Sequence, residues 1–240
     1  MFYFKKSIAS RWLIYLLLAV CQLSCTSNVS EPLNQNNKAI PADRLASVTP
    51  SILVQSPSPV PTNQLISSKG IGNAKLGMTL GELKQVLGTG TELNVKSPFM
   101  VDFDAIVVSQ SGKIQYYILY PTGKILTDSD RIVMLLTDNP NYRTAEGVGS
   151  EMLLKQAEAI YGKATLFYNT SNESREYVRF VNQPNQSLRF RSISKAQRLA
   201  GIYSSQSQEY KETKKFVETA SIRSIEVVCS SHQCPKPSTN

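Results

Sequence analysis

Histidine is almost missing from this chain. His232 is the only one among 240 residues, so any Ser-His-Asp or Cys-His hydrolytic arrangement would depend on that single ring. It stands between Cys229 and Cys234 in a short tail, where a zinc site would still need a fourth ligand. No catalytic residue and no metal site are expected. Nucleotide chemistry lacks its signals too: Gly70-Ile71-Gly72 is followed by Lys75 where a dinucleotide fingerprint has its third glycine, and no Walker loop occurs. No cofactor is expected either. Long hydrophobic runs are also wanting, because the run from Trp12 to Val20 falls short of the roughly 20 residues that cross a membrane as a helix.

That short run does serve another purpose. Lys5, Lys6 and Arg11 precede or open it, and Ser24-Cys25 comes after it, the layout of a secretory signal over residues 1–25 that is removed on export. Leu23-Ser24-Cys25 resembles a bacterial lipobox, which implies lipidation of Cys25 and a membrane-anchored, extracytoplasmic protein; an ordinary cleaved signal with Cys25 incidental is the alternative. By the same resemblance, Thr26 in place of Asp favours the outer membrane and its periplasmic face. The formal charge of +8 loses three with the signal and stands at +5 on the mature chain, which suits anionic surfaces better than nucleic acid. Residues 26–64 are rich in Ser, Pro, Asn and Gln without amphipathic pattern. They read as a disordered tether with a root-mean-square span of about 35 Å.

The rest of the chain is organised around Gly70 to Gly88. Thr79 is placed as an N-cap, Glu82 completes a capping box, and Met78 can pack on Leu83 as a staple. Leu80, Leu83, Val86 and Leu87 form one apolar stripe, and Gly88 terminates it. The run Gly77-Met78-Thr79 with Leu83, Leu87 and Gly88 resembles the signature of the small outer-membrane lipoproteins SmpA/OmlA, the BamE component of the barrel-assembly machinery. That family closes with Gly-x-Pro, whereas Gly88-Thr89-Gly90 stands here. Similar helix starts occur in tandem in beta-lactamase-inhibitor-like proteins, and residues 98–183 resemble cyanobacterial envelope proteins, a likeness that brings no function with it. The resemblance implies an architecture rather than an activity.

Strands are expected over residues 100–109, 113–120 and 131–137, the first two as a hairpin through Ser111-Gly112. At Gly147-Val148-Gly149-Ser150 the opening theme returns, with Ser150 as cap, a stripe of Leu153, Leu154, Ala157, Ile160 and Tyr161, and Gly162 as terminator. Further strands are expected over residues 165–168, 176–182, 188–193 and 220–228. The expected fold class is therefore α+β: two helix-plus-antiparallel-sheet repeats, 65–141 and 142–234, packed as one body before a disordered tail, 235–240. Cys229 and Cys234, with four residues between them in an exported chain, are expected to form a disulfide.

The candidate binding residues are Gly70 and Gly72 in the glycine approach, Tyr120, and the pair Arg143 and Glu146 in the most particular loop of the chain. Asp102 and Asp104, like Asp128 and Asp130, alternate and could share a face; the solvated face of a strand and a turn are the plainer readings. Tyr116 and Tyr117 must face opposite ways, so at most one stacks with Tyr120. The expected function is a non-catalytic adaptor or scaffold, not an enzyme, that binds envelope membrane proteins and no nucleic acid. The alternative is a periplasmic protein that binds or hydrolyses cell-wall glycan, or binds a small ligand, through Asp102, Asp104 and the tyrosines.

Overall fold

The structure, a computed structural model, describes residues 59–204 and 208–229. The expected signal, the lipidation site Cys25, residues 26–58 of the tether, His232, Cys234 and the tail lie outside the described residues. After a single 3-10 turn, Thr62–Gln64, come three short strands, β1 (Leu65–Ser67), β2 (Gly70–Ile71) and β3 (Ala74–Lys75), and helix α1 (Leu80–Val86). The chain continues through β4 (Thr91–Met100), β5 (Phe103–Gln110), β6 (Lys113–Pro121), β7 (Met134–Thr137) and β8 (Arg143–Thr144) to helix α2 (Leu154–Tyr161). It ends with β9 (Ala164–Asn169), β10 (Tyr177–Phe180), β11 (Leu188–Ile193), β12 (Tyr210–Thr213) and β13 (Ser221–Val228).

Thirteen strands in two sheets and two helices of seven and eight residues overturn the α+β expectation of helix-plus-sheet repeats: the protein is mostly β. The helices are short because their stripes are short. Val86 is 52% exposed, Leu153 and Ile160 are 40% and 41% exposed, and only Leu80, Leu83, Leu154, Ala157 and Tyr161 are buried. Several strands left no apolar pattern to read. In β4 no residue is buried, as befits an edge strand carrying Pro98.

The larger sheet has the order β12-β9-β10-β11-β13-β7-β6-β5-β4, antiparallel at every step. Strands run outward from a central β7–β13 pair in both directions. The smaller sheet, β3-β2-β1-β8, joins β1 to β8 in parallel. Ile66 and Ile71 of the small sheet, Leu83 of α1 and Leu154 of α2 share one core with Ile118, Leu135, Phe190 and Ile225 of the large sheet, so both helices and the small sheet cover the same face. The opposite face carries a smaller cluster around Tyr117, Leu119 and Leu136, on which Phe99 closes with a ring separation of 4.8 Å from Tyr117.

Around α1 local code and tertiary contact agree. Thr79 Oγ1 accepts from the Glu82 amide at 3.1 Å while the Thr79 amide donates to Glu82 Oε2 at 2.7 Å. Two more first-turn donors, the amides of Leu80 and Gly81, reach the carbonyls of Asp130 and Asp128 at 2.9 Å. A Cβ on Gly81 would stand 3.1 Å from that Asp128 carbonyl, which accounts for glycine inside a helix at a cost of roughly 1 kcal/mol. Burying Leu80 and Leu83 returns about 1.5–3 kcal/mol each, so packing wins. In α2 the expected cap is displaced: Leu153 is the N-cap, its amide held by Gln156 Oε1 at 3.2 Å, because the buried Ser150 hydroxyl is used by the Thr137 carbonyl at 3.3 Å.

Gly70 shows the tightest backbone approach. With φ at +153°, a Cβ there would meet the Ala74 carbonyl oxygen at 2.1 Å. Gly70→Ala should therefore lower the unfolding free energy by about 2 kcal/mol or more. Gly112→Ala, where φ is +72° but nothing lies within 4 Å, should cost only about 1 kcal/mol. Urea titration of both variants checks this, and equal losses would contradict the assignment of a clash to Gly70.

Candidate binding face

On strands β9 to β12 the residues that point away from the helices form a basic, aromatic surface. Alternation along β9 buries Ala164, Leu166 and Tyr168 and turns Thr165, Phe167 and Asn169 outward. Register then aligns Glu212, Phe167, Tyr177 and Arg191 across four strands, and sets Arg189 beside Glu226. Phe167 stacks on Tyr177 at 6.0 Å and meets Tyr210 at the same distance. The Arg179 guanidinium lies 5.5 Å from the Phe167 ring centre, with Glu212 at 3.6 Å. Together with Arg175 and Arg189 these side chains line a cavity of about 510 Å³.

Beneath that surface sits Glu226, fully buried, with the Tyr177 hydroxyl donating to its two oxygens at 3.1 and 3.4 Å. Burial raises its pKa against the opposing pull of Arg191, Tyr177, Arg189 and Arg175. Tyr177 is itself pushed up to about 12, first by burial and then by Glu226. Arg191 keeps a buried Nε without a partner, and its Nη1 lies 3.6 Å from Met100 Sδ. Burial lowers the Arg191 pKa. Arg175, 8% exposed, is held by Asp102, by Asn172 and by Glu173 at 3.1 Å. Met100 reaches Arg191 although four strands separate β4 from β11 in the sheet. On a flat sheet five steps of about 4.8 Å would keep them roughly 24 Å apart, so the tip of the β4–β5 hairpin folds across this face and walls it on one side.

The residues singled out from sequence lie elsewhere. Gly70 and Gly72 belong to the small sheet, where a Cβ on Gly72 would meet the Asn63 carbonyl at 2.6 Å; close packing accounts for both glycines. Tyr120 is buried beside its strand partner Asp104 on the helix-covered face. Arg143 and Glu146 do not pair. Arg143 lies against Gly149 and donates to the Ser150 carbonyl at 3.4 Å, while Glu146 accepts from Tyr161 at 2.6 Å, whose hydroxyl also meets Thr144. Asp102 is drawn to Arg175, and Asp104, 4% exposed, accepts from the Gly123 amide at 3.2 Å, so the two aspartates are not gathered into one site. Asp128 pairs with Lys84 at 2.5 Å. Lys124 and Thr127 hold Asp130 down at about 2. Tyr116 and Tyr117 join opposite faces. Cys229 is disulfide-bonded; the expected partner, Cys234, is outside the described residues. Among those residues no three potential metal ligands converge. The sequence did carry one signal of the basic face: Tyr177-x-Arg179 and Arg189-x-Arg191 repeat at period two around the buried Val178 and Phe190.

Glu226 gives a pH test. Its folded pKa lies above its ordinary 4.5, so from pH 4.5 up to the raised value the native state binds more protons than the unfolded one. Its contribution to stability is largest at the acid end and falls as pH rises through that window. Glu226→Gln keeps an acceptor for Tyr177 and should remove that slope from urea midpoints measured between pH 4 and 8. A slope unchanged in the variant would refute the assignment.

No protein-family model matches the chain, and no curated protein or solved structure matches it; what can be said of function rests on the chemistry of its surfaces.

Proposed function

We propose that this protein is a cell-envelope lipoprotein, anchored through Cys25 and held off the membrane by its tether, that works as a non-catalytic adaptor for envelope membrane proteins. The observation that carries the reading is the Phe167–Tyr177–Tyr210 aromatic group flanked by Arg179 and Arg189 on a hydrogen-bonded sheet. Arginine and tyrosine are the side chains that most often anchor protein interfaces. Strand register fixes their positions in advance, which lowers the ordering cost of binding.

The partner's surface would be acidic. Arg179 is countered by Glu212, but Arg189 is exposed and makes no ion pair among the described residues. The buried carboxylates support a structural reading of the interior. Glu176 accepts from Ser192, the amides of Ala200 and Gly201, and Tyr203 at 2.7 to 2.9 Å, so it pins the loop after β11 rather than facing a substrate. The lipobox-like Leu23-Ser24-Cys25 and the helix start that resembles SmpA/OmlA support the placement in the envelope.

Affinity capture from detergent-solubilised envelopes tests the proposal. The intact protein should retain a membrane protein at near one-to-one stoichiometry. Recovery should fall about tenfold or more in the double variant Arg179→Glu, Arg189→Glu, in Cys25→Ala, and in high salt, where exposed charges are screened. A protein recovered alone, or a partner indifferent to the two arginines, would overturn the adaptor.

A further inference from the structure

A second cavity, of about 380 Å³, opens between the 3-10 turn, the β2–β3 turn, the end of α1 and strands β5 and β6. It shares no lining residue with the basic face, and its chemistry is independent of the adaptor. Its polar lining is almost wholly carboxamide: Asn63, Gln64, Asn73, Gln110 and Gln115. No acidic or basic side chain lines it, in a chain of which 18% is charged.

Gln115 is committed at both ends, its amide donating to the Lys113 carbonyl at 2.9 Å and its oxygen accepting from Tyr142 at 3.3 Å. The other four carboxamides make no side-chain hydrogen bond among the described residues, and each offers two donors and an acceptor. Tyr116 also lines the cavity. It is 3% exposed, yet its hydroxyl has no partner. Tyr142 meets its ring edge-on at 6.1 Å, and Val86, Leu87 and Val108 complete an apolar wall. The rim is fixed, since Gly72 at φ +53° brings the β2–β3 turn within 3.1 Å of the Tyr142 ring, measured from the position of a Cβ.

An ionised ligand would find no countercharge here and would lose its hydration without compensation. A purely apolar one would strand the amides and the tyrosine hydroxyl. What fits is a neutral molecule dense in hydroxyl or acetamido groups with one apolar flank, which describes a pyranose ring. We propose that this cavity binds a neutral saccharide unit, with the Tyr116 hydroxyl, Asn73 and Gln110 as its hydrogen-bonding groups. Tyr116 supplies a buried donor that is already desolvated, so a sugar hydroxyl placed there satisfies a group the fold leaves open.

Saturation-transfer NMR and calorimetry on the full-length protein in detergent would test the proposal, with N-acetylated chitotriose, maltotriose and, as the charged control, trigalacturonate. Saturable binding of one neutral trimer is expected. Tyr116→Phe and Asn73→Ala should each weaken it about tenfold, the usual worth of one hydrogen bond between neutral groups. Tyr116→Phe should melt no lower than the parent, because the hydroxyl it removes is unpaired, so a loss of binding there cannot be a loss of fold. The Arg179→Glu, Arg189→Glu variant should bind the trimer as the parent does, which separates this site from the adaptor face. Failure of both neutral trimers to bind, binding of trigalacturonate alone, or binding undiminished in both cavity variants would overturn the proposal.

Discussion

Four paired positions hold the large sheet together. Thr137, Leu136, Leu135 and Met134 of β7 face Ile225, Glu226, Val227 and Val228 of β13, and across that seam the outward-running strands of each half become one surface. Every residue of β7 is buried. The register there decides the chemistry of both faces. It sends Leu135 and Val227 into the helix-covered core and leaves Leu136 and Glu226 on the other side. A slip by one residue would exchange those faces and drive the Glu226 carboxylate among Leu135, Phe190 and Ile225. A buried charge without partners is costly enough to exclude that alternative.

The face on which Glu226 lies is divided. Over β5, β6 and β7 it is apolar and closed by Phe99 and Met100 from β4; over β9 to β12 it is aromatic, basic and open. The hairpin tip joins the two parts, because Met100 touches both Arg175 and Arg191 while Asp102 holds Arg175. An edge strand with no buried residue thus has a place in the architecture: its end shields one half of the face and orients the guanidinium groups of the other. Arg175, fixed by Asp102 and Glu173, serves as a wall. Arg179 and Arg189, both exposed, are the groups left to meet a partner.

Legibility in the sequence tracked the range of the interactions involved. The α1 start was legible because a capping box is complete within four residues, and β5, β6, β11 and β13 were legible because alternation is local. The start of α2 was not, since Ser150 spends its hydroxyl on Thr137, a contact set by tertiary packing. The helical weight of the fold was overestimated because a stripe such as Leu153 to Tyr161 counts residues that solvent keeps, Leu153 and Ile160 among them. The edge strand β4 and the two-residue strands of the small sheet have too little burial to leave a pattern. Gly70 and Gly72 were visible as backbone specialities, but only the approach of Ala74 and Asn63 shows why. The basic face is assembled from four strands by register, so Phe167, Tyr177, Arg189 and Tyr210 look unrelated along the chain.

Three buried polar atoms lack a partner among the described residues: Asp104 Oδ1, the Tyr116 hydroxyl and Arg191 Nε. Each such group costs about 1–3 kcal/mol against a satisfied one, a large share of the ~5–15 kcal/mol by which a domain is stable. Their positions are not scattered. Arg191 underlies the basic face beside Tyr177 and Glu226, and Tyr116 lines the neutral cavity, so two of the three stand at the two concavities of the molecule. Phenylalanine at position 116 would fill the same space without the penalty. A hydroxyl kept there makes sense where occupation by a ligand returns the missing hydrogen bond, and the same reasoning applies to a guanidinium held short of its full set of acceptors under a surface built to receive acidic groups.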